Sequence, residues 1–174
     1  MAQKTRSATA SPHDEPGYAW GYLPHDLSRV VNALNLRLMK HLRPVELTIP
    51  QLRVMQFLQQ VESTSIGGIC ELTLIEQSVV SRIVNQLEER GFAKRVRNAQ
   101  NARRVDVSLT QVGHLVLQSV TPDALKIVDT SLEALSPQEQ QQLVDFHRRI
   151  YERTMALEAA LKSKARAAAR KPRG

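Results

Sequence analysis

The sequence predicts a mainly α-helical protein with one small β-hairpin, in which long outer helices flank a compact centre. Three observations carry this expectation. Apolar residues recur at spacings of three and four along most of the chain, the signature of amphipathic helices. The spacing falls to two only between Phe92 and Thr110. Composition agrees, since 42% hydrophobic residues with 4% aromatics, 7 glycines and 8 prolines suit helices better than a sandwich or barrel. A length of 174 residues fits one core with tails.

Residues 1–20 open with Ala, Ser, Thr, Pro and charge, offer little to bury, and read as a disordered arm. Leu27, Val30, Val31, Leu34, Leu38 and Leu42 then form a stripe that predicts one long helix over roughly His25 to Leu42. Thr48 is placed to cap a second helix, with Pro50 tolerated in its first turn, running through Val54, Met55, Phe57, Leu58 and Val61. Ser65 begins a third, shorter helix, SIGGICELT, whose two glycines weaken it by roughly 1 kcal/mol each relative to alanine. The clearest helix runs from Glu76 to Arg90, because Val80, Ile83, Val84 and Leu87 share one stripe and Gly91 stands at the C-terminal stop.

After Gly91 the alternation in FAKRVR sets Phe92, Lys94 and Val96 against Ala93, Arg95 and Arg97, while VDVSLT sets Val105, Val107 and Leu109 on one side. The polar stretch NAQNARR between them reads as a turn, giving a hairpin with a basic tip. A long helical region follows Thr110 through Leu115, Leu117, Val120, Leu125, Val128 and Leu132, with Pro122 as a kink or break. LSPQEQ starts the last helix, with Ser136 as cap, Pro137 at the first position and Glu139 closing a capping box, and the helix continues through Leu143, Phe146, Ile150 and Leu157. Three short helices and then a hairpin is the winged helix-turn-helix order, in which the third helix enters the DNA major groove. The expected organisation is a winged domain over 47–110, outer helices over 21–46 and 111–161, and a basic disordered tail over 162–174.

The net charge of +7 is unevenly placed. Six Lys or Arg and no acid fall within the last thirteen residues, and removing that +6 leaves the remainder at +1. Against this nearly neutral body, Arg82, Arg90, Lys94, Arg95, Arg97, Arg103 and Arg104 face only Glu88 and Glu89, a concentrated patch suited to phosphate neutralisation or, more simply, a solvated basic face. On the helix before the hairpin, Gln77, Ser78, Ser81, Arg82 and Asn85 recur opposite the apolar stripe. These are side chains that read base edges or grip phosphates, and no Lys or Glu interrupts them between Gln77 and Gln86.

The stretches LTIPQLRVMQFL, SVVSRIVNQLEERGFAKR and NAQNARRVDVSLTQVG resemble the MarR family of transcriptional regulators across residues 47–113. YLPHDLSRVVN and LSPQEQQQLV are similar to the outer helices of that family, extending the resemblance to about 21–160. The Ser-Arg pair at Ser81 and Arg82, Leu87 and Glu88 followed by Gly91, and Arg103 six residues before Leu109 match in register. Asn98 and Asn101 stand where the resemblance expects aspartates that orient the wing arginine. Asn still caps a turn but forms no ion pair. The resemblance implies Arg103 in the minor groove with Arg97 and Arg104 on phosphates, and Asn101 in the wing turn.

It also implies a homodimer built by the outer helices, a pseudo-palindromic operator in double-stranded DNA, and repression. Release is expected when a small aromatic or phenolic acid, or its coenzyme A thioester, binds between the outer helices and the winged domain. Trp20, Tyr22, His25, Arg29 and Arg53 are the candidate contacts, Arg29 for a carboxylate or phosphate and His25 for a carbonyl.

The lone cysteine, Cys70, excludes an internal disulfide, and with no basic neighbour within six residues it reads as a buried structural thiol. Histidines 13, 25, 41, 114 and 147 lack metal-ligand spacing, and neither a phosphate-binding glycine loop nor a nucleophile motif is present, so neither an enzyme nor a cofactor is expected. Without an apolar leader or a run of ~18 apolar residues, the expected location is cytoplasmic, with no membrane partner. The alternative reading is a sequence-nonspecific architectural DNA-binding protein, which would grip any duplex with similar affinity.

Overall fold

A computed structural model describes residues 23–98 and 104–169, the last five by backbone alone. The elements are α1 (Leu23–Leu42), a 3-10 turn (Arg43–Val45), α2 (Ile49–Val61), β1 (Ser63–Thr64), α3 (Ile66–Thr73), α4 (Gln77–Glu89), β2 (Ala93–Arg97), β3 (Val105–Leu109), α5 (Gln111–Leu132) and α6 (Pro137–Ala169). The fold class is the expected one, helices with a small antiparallel wing. The chain divides after Val128 into two compact units. No helix among the described residues is long and apolar enough to cross a membrane.

In the first unit the apolar stripes of the short helices meet in one core. Leu42, Leu52, Val54, Met55, Leu58, Ile69, Val80, Val84, Leu87, Val107 and Leu117 are fully buried in it. Each buried Leu, Ile or Val stabilises the fold by about 1.5–3 kcal/mol relative to exposure. Polar ends are closed locally. Thr48 accepts from the Gln51 amide while the Gln51 side chain accepts from the Thr48 amide, a reciprocal capping box at α2. The Ser65 hydroxyl caps α3 by accepting from the Gly68 amide at 3.2 Å, without a reciprocal bond. α3 ends at Leu74 in a left-handed conformation (φ 55°), and three residues later α4 begins, the tight connection of a helix-turn-helix.

The sheet has a strand the alternation did not predict. β1, only two residues long, pairs with β3, so the order is β1-β3-β2 and β3 is central. The expected face of β3 is also corrected. Val107 and Leu109 are buried as predicted, but Val105 is 47% exposed and Asp106 is buried in its place. Asp106 finds two donors there, Asn98 and Arg104.

Gly113 explains how the wing meets α5. A Cβ there would lie 2.0 Å from the backbone oxygen of Phe92, which already accepts from the Thr110 amide at 3.0 Å. Thr110 adds a hydroxyl bond to the Gly91 carbonyl at 2.6 Å and accepts from the Gly113 amide at 3.0 Å.

Several expected boundaries shift. α1 starts at Leu23 rather than His25, since Pro24 fits the first turn of a helix. Pro122 does not break α5. The carbonyl deprived of its partner belongs to Gln118, an exposed residue, and buried Leu117, Val120 and Ile127 hold the flanking turns. In the second unit α6 runs on to Ala169, through residues read as disordered tail, because ALKSKARAAA consists largely of strong helix formers. Cys70 is half-buried against the core rather than fully enclosed. The expected arm over 1–20 lies outside the described residues.

Candidate nucleic-acid interface

α4 turns Val80, Ile83, Val84 and Leu87 inward. Its other side presents Gln77, Ser78, Arg82 and Asn85 exposed, with Ser81 half-buried. Gln77, Ser81 and Asn85 follow one i, i+4 row, and Ser78 and Arg82 the next, so the polar set is one continuous face. At the entrance Ser78 Oγ donates to Glu76 at 3.1 Å. At the exit Gly91, at φ 70°, lets the Gly91 amide reach Glu88 O and the Phe92 amide reach Leu87 O, both at 2.8 Å. This paired closure turns the chain directly into the wing.

The basic patch separates into two kinds of residue. Arg90 donates to the carbonyls of Glu46 and Val45 at 2.6 and 2.7 Å, and its guanidinium lies 4.5 Å from the Phe92 ring centre. It therefore closes the turn before α2. Arg95 pairs with Glu88 and donates to Asn85 Oδ1 at 2.8 Å, while its backbone amide donates to Glu88 Oε1 at 2.9 Å. Arg104 Nε donates to Asp106 Oδ1 at 2.7 Å. Asn85 and Arg104, both expected toward DNA, are exposed but each is held by a hydrogen bond within the protein, to Arg95 and to Asp106 respectively. Among the described residues Arg82, Lys94 and Arg97 have no ion pair and point their charge outward. Arg103 and Asn101 lie outside the described residues.

Sequence reasoning missed Lys94 as a site residue and Asp106 altogether. For Lys94 the signal was present, an exposed position on β2 within the patch. Asp106 is held below the ordinary carboxylate range, first by the Asn98 amide and then by Arg104, against the opposing effect of burial. An acid two residues after an arginine along the same strand segment was its only trace.

The candidate ligand residues are not gathered in one place. Trp20 and Tyr22 lie outside the described residues. His25 is exposed, with Asp26 at 3.7 Å. Arg29 lines an open groove of about 520 Å³ formed by α1 residues, including Asp26, Val30 and Leu36. Arg53 instead lines a hollow of about 230 Å³ between α1, α2 and α5, with Val31, Leu34, Leu38, Ala124 and Ile127. The split follows from the helix period, since Val31, Leu34 and Leu38 share one row of α1 and Arg29 lies on another. Among the described residues no cluster of His, Cys, Asp and Glu is placed to hold a metal ion.

Comparison with known proteins agrees with this geometry. Residues 46–104 match the MarR family, from the turn before α2 to the foot of β3. The chain is similar to an uncharacterized HTH-type transcriptional regulator, YfiV, of Bacillus subtilis, 27% identical over 97 residues, which is 56% of this chain and 61% of that protein. The chain therefore spans about three fifths of that relative's length. Its fold is similar to a MarR family transcriptional regulator from Silicibacter pomeroyi, with TM-score 0.74 and 26% identity over 83% of this chain and 97% of that one. It also shares the fold of Bordetella bronchiseptica BpsR, whose DNA binding is regulated by 6-hydroxynicotinic acid, with TM-score 0.66 and 22% identity over 74% of this chain and 98% of that one.

Proposed function

We propose that this chain, whose residues 46–104 match the MarR family and whose fold is similar to that of a MarR family transcriptional regulator, is a ligand-released repressor gripping a pseudo-palindromic operator as a two-fold dimer. The observation that carries the reading is the polar outer face of α4, with Gln77, Ser78, Ser81 and Arg82, set beside outward cations Lys94 and Arg97 on β2. A helix face of forked and short hydrogen-bonding side chains suits base edges, and flanking unpaired cations suit phosphates. Two such faces related by a dyad need half-sites about one helical turn apart.

Self-association is supported by α6. Leu143, Phe146, Ile150 and Leu157 repeat along one side of it and are all exposed, and none of its residues with described side chains is buried. A 33-residue helix with an open apolar stripe is the surface of an assembly. For the effector, the hollow beside Arg53 pairs apolar walls with one cation. Its 230 Å³ lies below the ~300 Å³ at which drug-sized pockets begin, which fits a single-ring aromatic acid with its carboxylate on Arg53. Such a ligand releases DNA only by binding the DNA-incompetent dimer more tightly.

The test is fluorescence anisotropy on the chain's own upstream promoter fragment against a scrambled duplex, at physiological salt, with and without aromatic acids and their coenzyme A thioesters. A regulator prefers its operator by at least ~10³. Arg82→Ala lowers that affinity at least about tenfold with the dimer intact in sedimentation. Equal, salt-labile binding to both duplexes would instead establish the architectural reading.

A further inference from the structure

The wing is gathered from inside by a single carboxylate. Asp106 sits on β3 with its side chain only 5% exposed. Its Oδ2 accepts from Asn98 Nδ2 at 2.5 Å and its Oδ1 from Arg104 Nε at 2.7 Å. Asn98 is the first residue after β2 and Arg104 the last before β3, and the Asn98 amide donates to the Arg104 carbonyl at 3.0 Å. The three groups therefore stand where both strands leave the sheet, next to the register pair Arg97 and Val105.

A carboxylate so deeply placed requires donors on both oxygens, and each strand end supplies one. Nε is the guanidinium nitrogen nearest the backbone, so its bond to Asp106 folds the Arg104 side chain back along β3. The same bonds hold the carboxyl ionised throughout the neutral range, as the depression of its proton affinity by Asn98 and Arg104 requires.

We propose that Asp106 is the positioning residue of the wing and that Arg104 serves DNA binding through Asp106 rather than by contacting a phosphate. Resting on the DNA-binding reading above, this assigns the latch of Asn98, Asp106 and Arg104 the task of fixing the strand ends, and with them Arg97, against the duplex. Arg97 is then the phosphate-facing cation of this part of the wing, and Arg104 is its support.

The test combines operator titrations over a range of salt concentrations with hydrogen exchange of the free protein, using Asp106→Asn, Arg104→Gln and the double variant. Each single substitution weakens operator binding about tenfold or more, the scale of a lost charged hydrogen bond, and the double variant is no worse than the weaker single. The salt slope of Arg104→Gln stays at the wild-type value. In the absence of DNA the Asn98 amide exchanges faster in both singles, while the Val84 amide in α4 is unchanged. A phosphate-contacting Arg104 gives the opposite pattern: Arg104→Gln lowers the slope by ~0.9, Asp106→Asn frees the arginine and leaves binding equal or tighter, and exchange at Asn98 does not move. Any of these would overturn the proposal. Arg104 is half exposed, so Arg104→Gln keeps the test decisive if Asp106→Asn fails to fold. Wild-type protein that prefers no duplex would refute the DNA-binding reading instead, and the exchange measurement still decides the latch.

Discussion

α4 and α6 are both amphipathic helices, yet one is finished within the chain and the other is not. On α4 all four stripe residues, Val80, Ile83, Val84 and Leu87, are buried by α2, α3 and the sheet. On α6 the stripe has the same period, but Phe146 and Ile150 are each 53% exposed. The difference teaches that periodicity states which side of a helix wants cover and is silent on who supplies it. The winged region buries its own stripes, while the apolar stripe of α6 stays exposed.

Substitutions at matched positions break or sharpen this contrast. The largest effect is expected from Leu87→Ala, which leaves a cavity in the shared core and lowers unfolding free energy by about 2–5 kcal/mol, independent of protein concentration. Phe146→Ala should change the unfolding of the winged region by no more than about 0.5 kcal/mol, as for a surface position, while weakening self-association in sedimentation equilibrium. Equal destabilisation by the two would erase the distinction drawn here. Next in size is Gly113→Ala. The added methyl meets the backbone oxygen of Phe92, which no rotamer can move, and a loss of about 1–3 kcal/mol follows in chemical denaturation.

The smallest effect is one of pH, at the start of α6. The Ser136 hydroxyl and amide both donate to Glu139 and hold its carboxyl below the ordinary range. A depressed carboxyl contributes stability that is fully present above its unfolded value and fades as pH falls through its folded one. Helicity measured by circular dichroism should therefore decline at acid pH, and Ser136→Ala should remove that part of the pH dependence while lowering helicity at neutral pH.

Much of the architecture was legible in the residues. The stop at Gly91, the caps at Thr48, Ser65 and Ser136, and the stripe of α4 each report a local backbone requirement, and local requirements survive folding. β1 was not legible, because two residues make no period and its pairing with β3 is decided by the sheet. The fate of the arginines was equally hidden. Arg90 finds its acceptors at Val45 and Glu46, far back along the chain, and a run of basic residues does not announce which members have partners. For the ligand candidates, nearness to the start of α1 was a poor guide, since Arg53 is brought beside α5 by tertiary packing while Arg29 faces elsewhere.

The central place of β3 also sets the order in which the molecule can assemble. Ser63 and Thr64 pair with Ser108 and Val107, so residues 65–106, the whole helix-turn-helix and the wing, form a loop closed by two short strands. Helix formation within that loop is local and rapid, on the order of microseconds or less, whereas joining its ends carries an entropic cost that rises with loop length. On these grounds α4 can form before the pairing of Val107 with Thr64 fixes the ends of the loop. A long-range closure of this kind bears on folding rate more than on equilibrium stability.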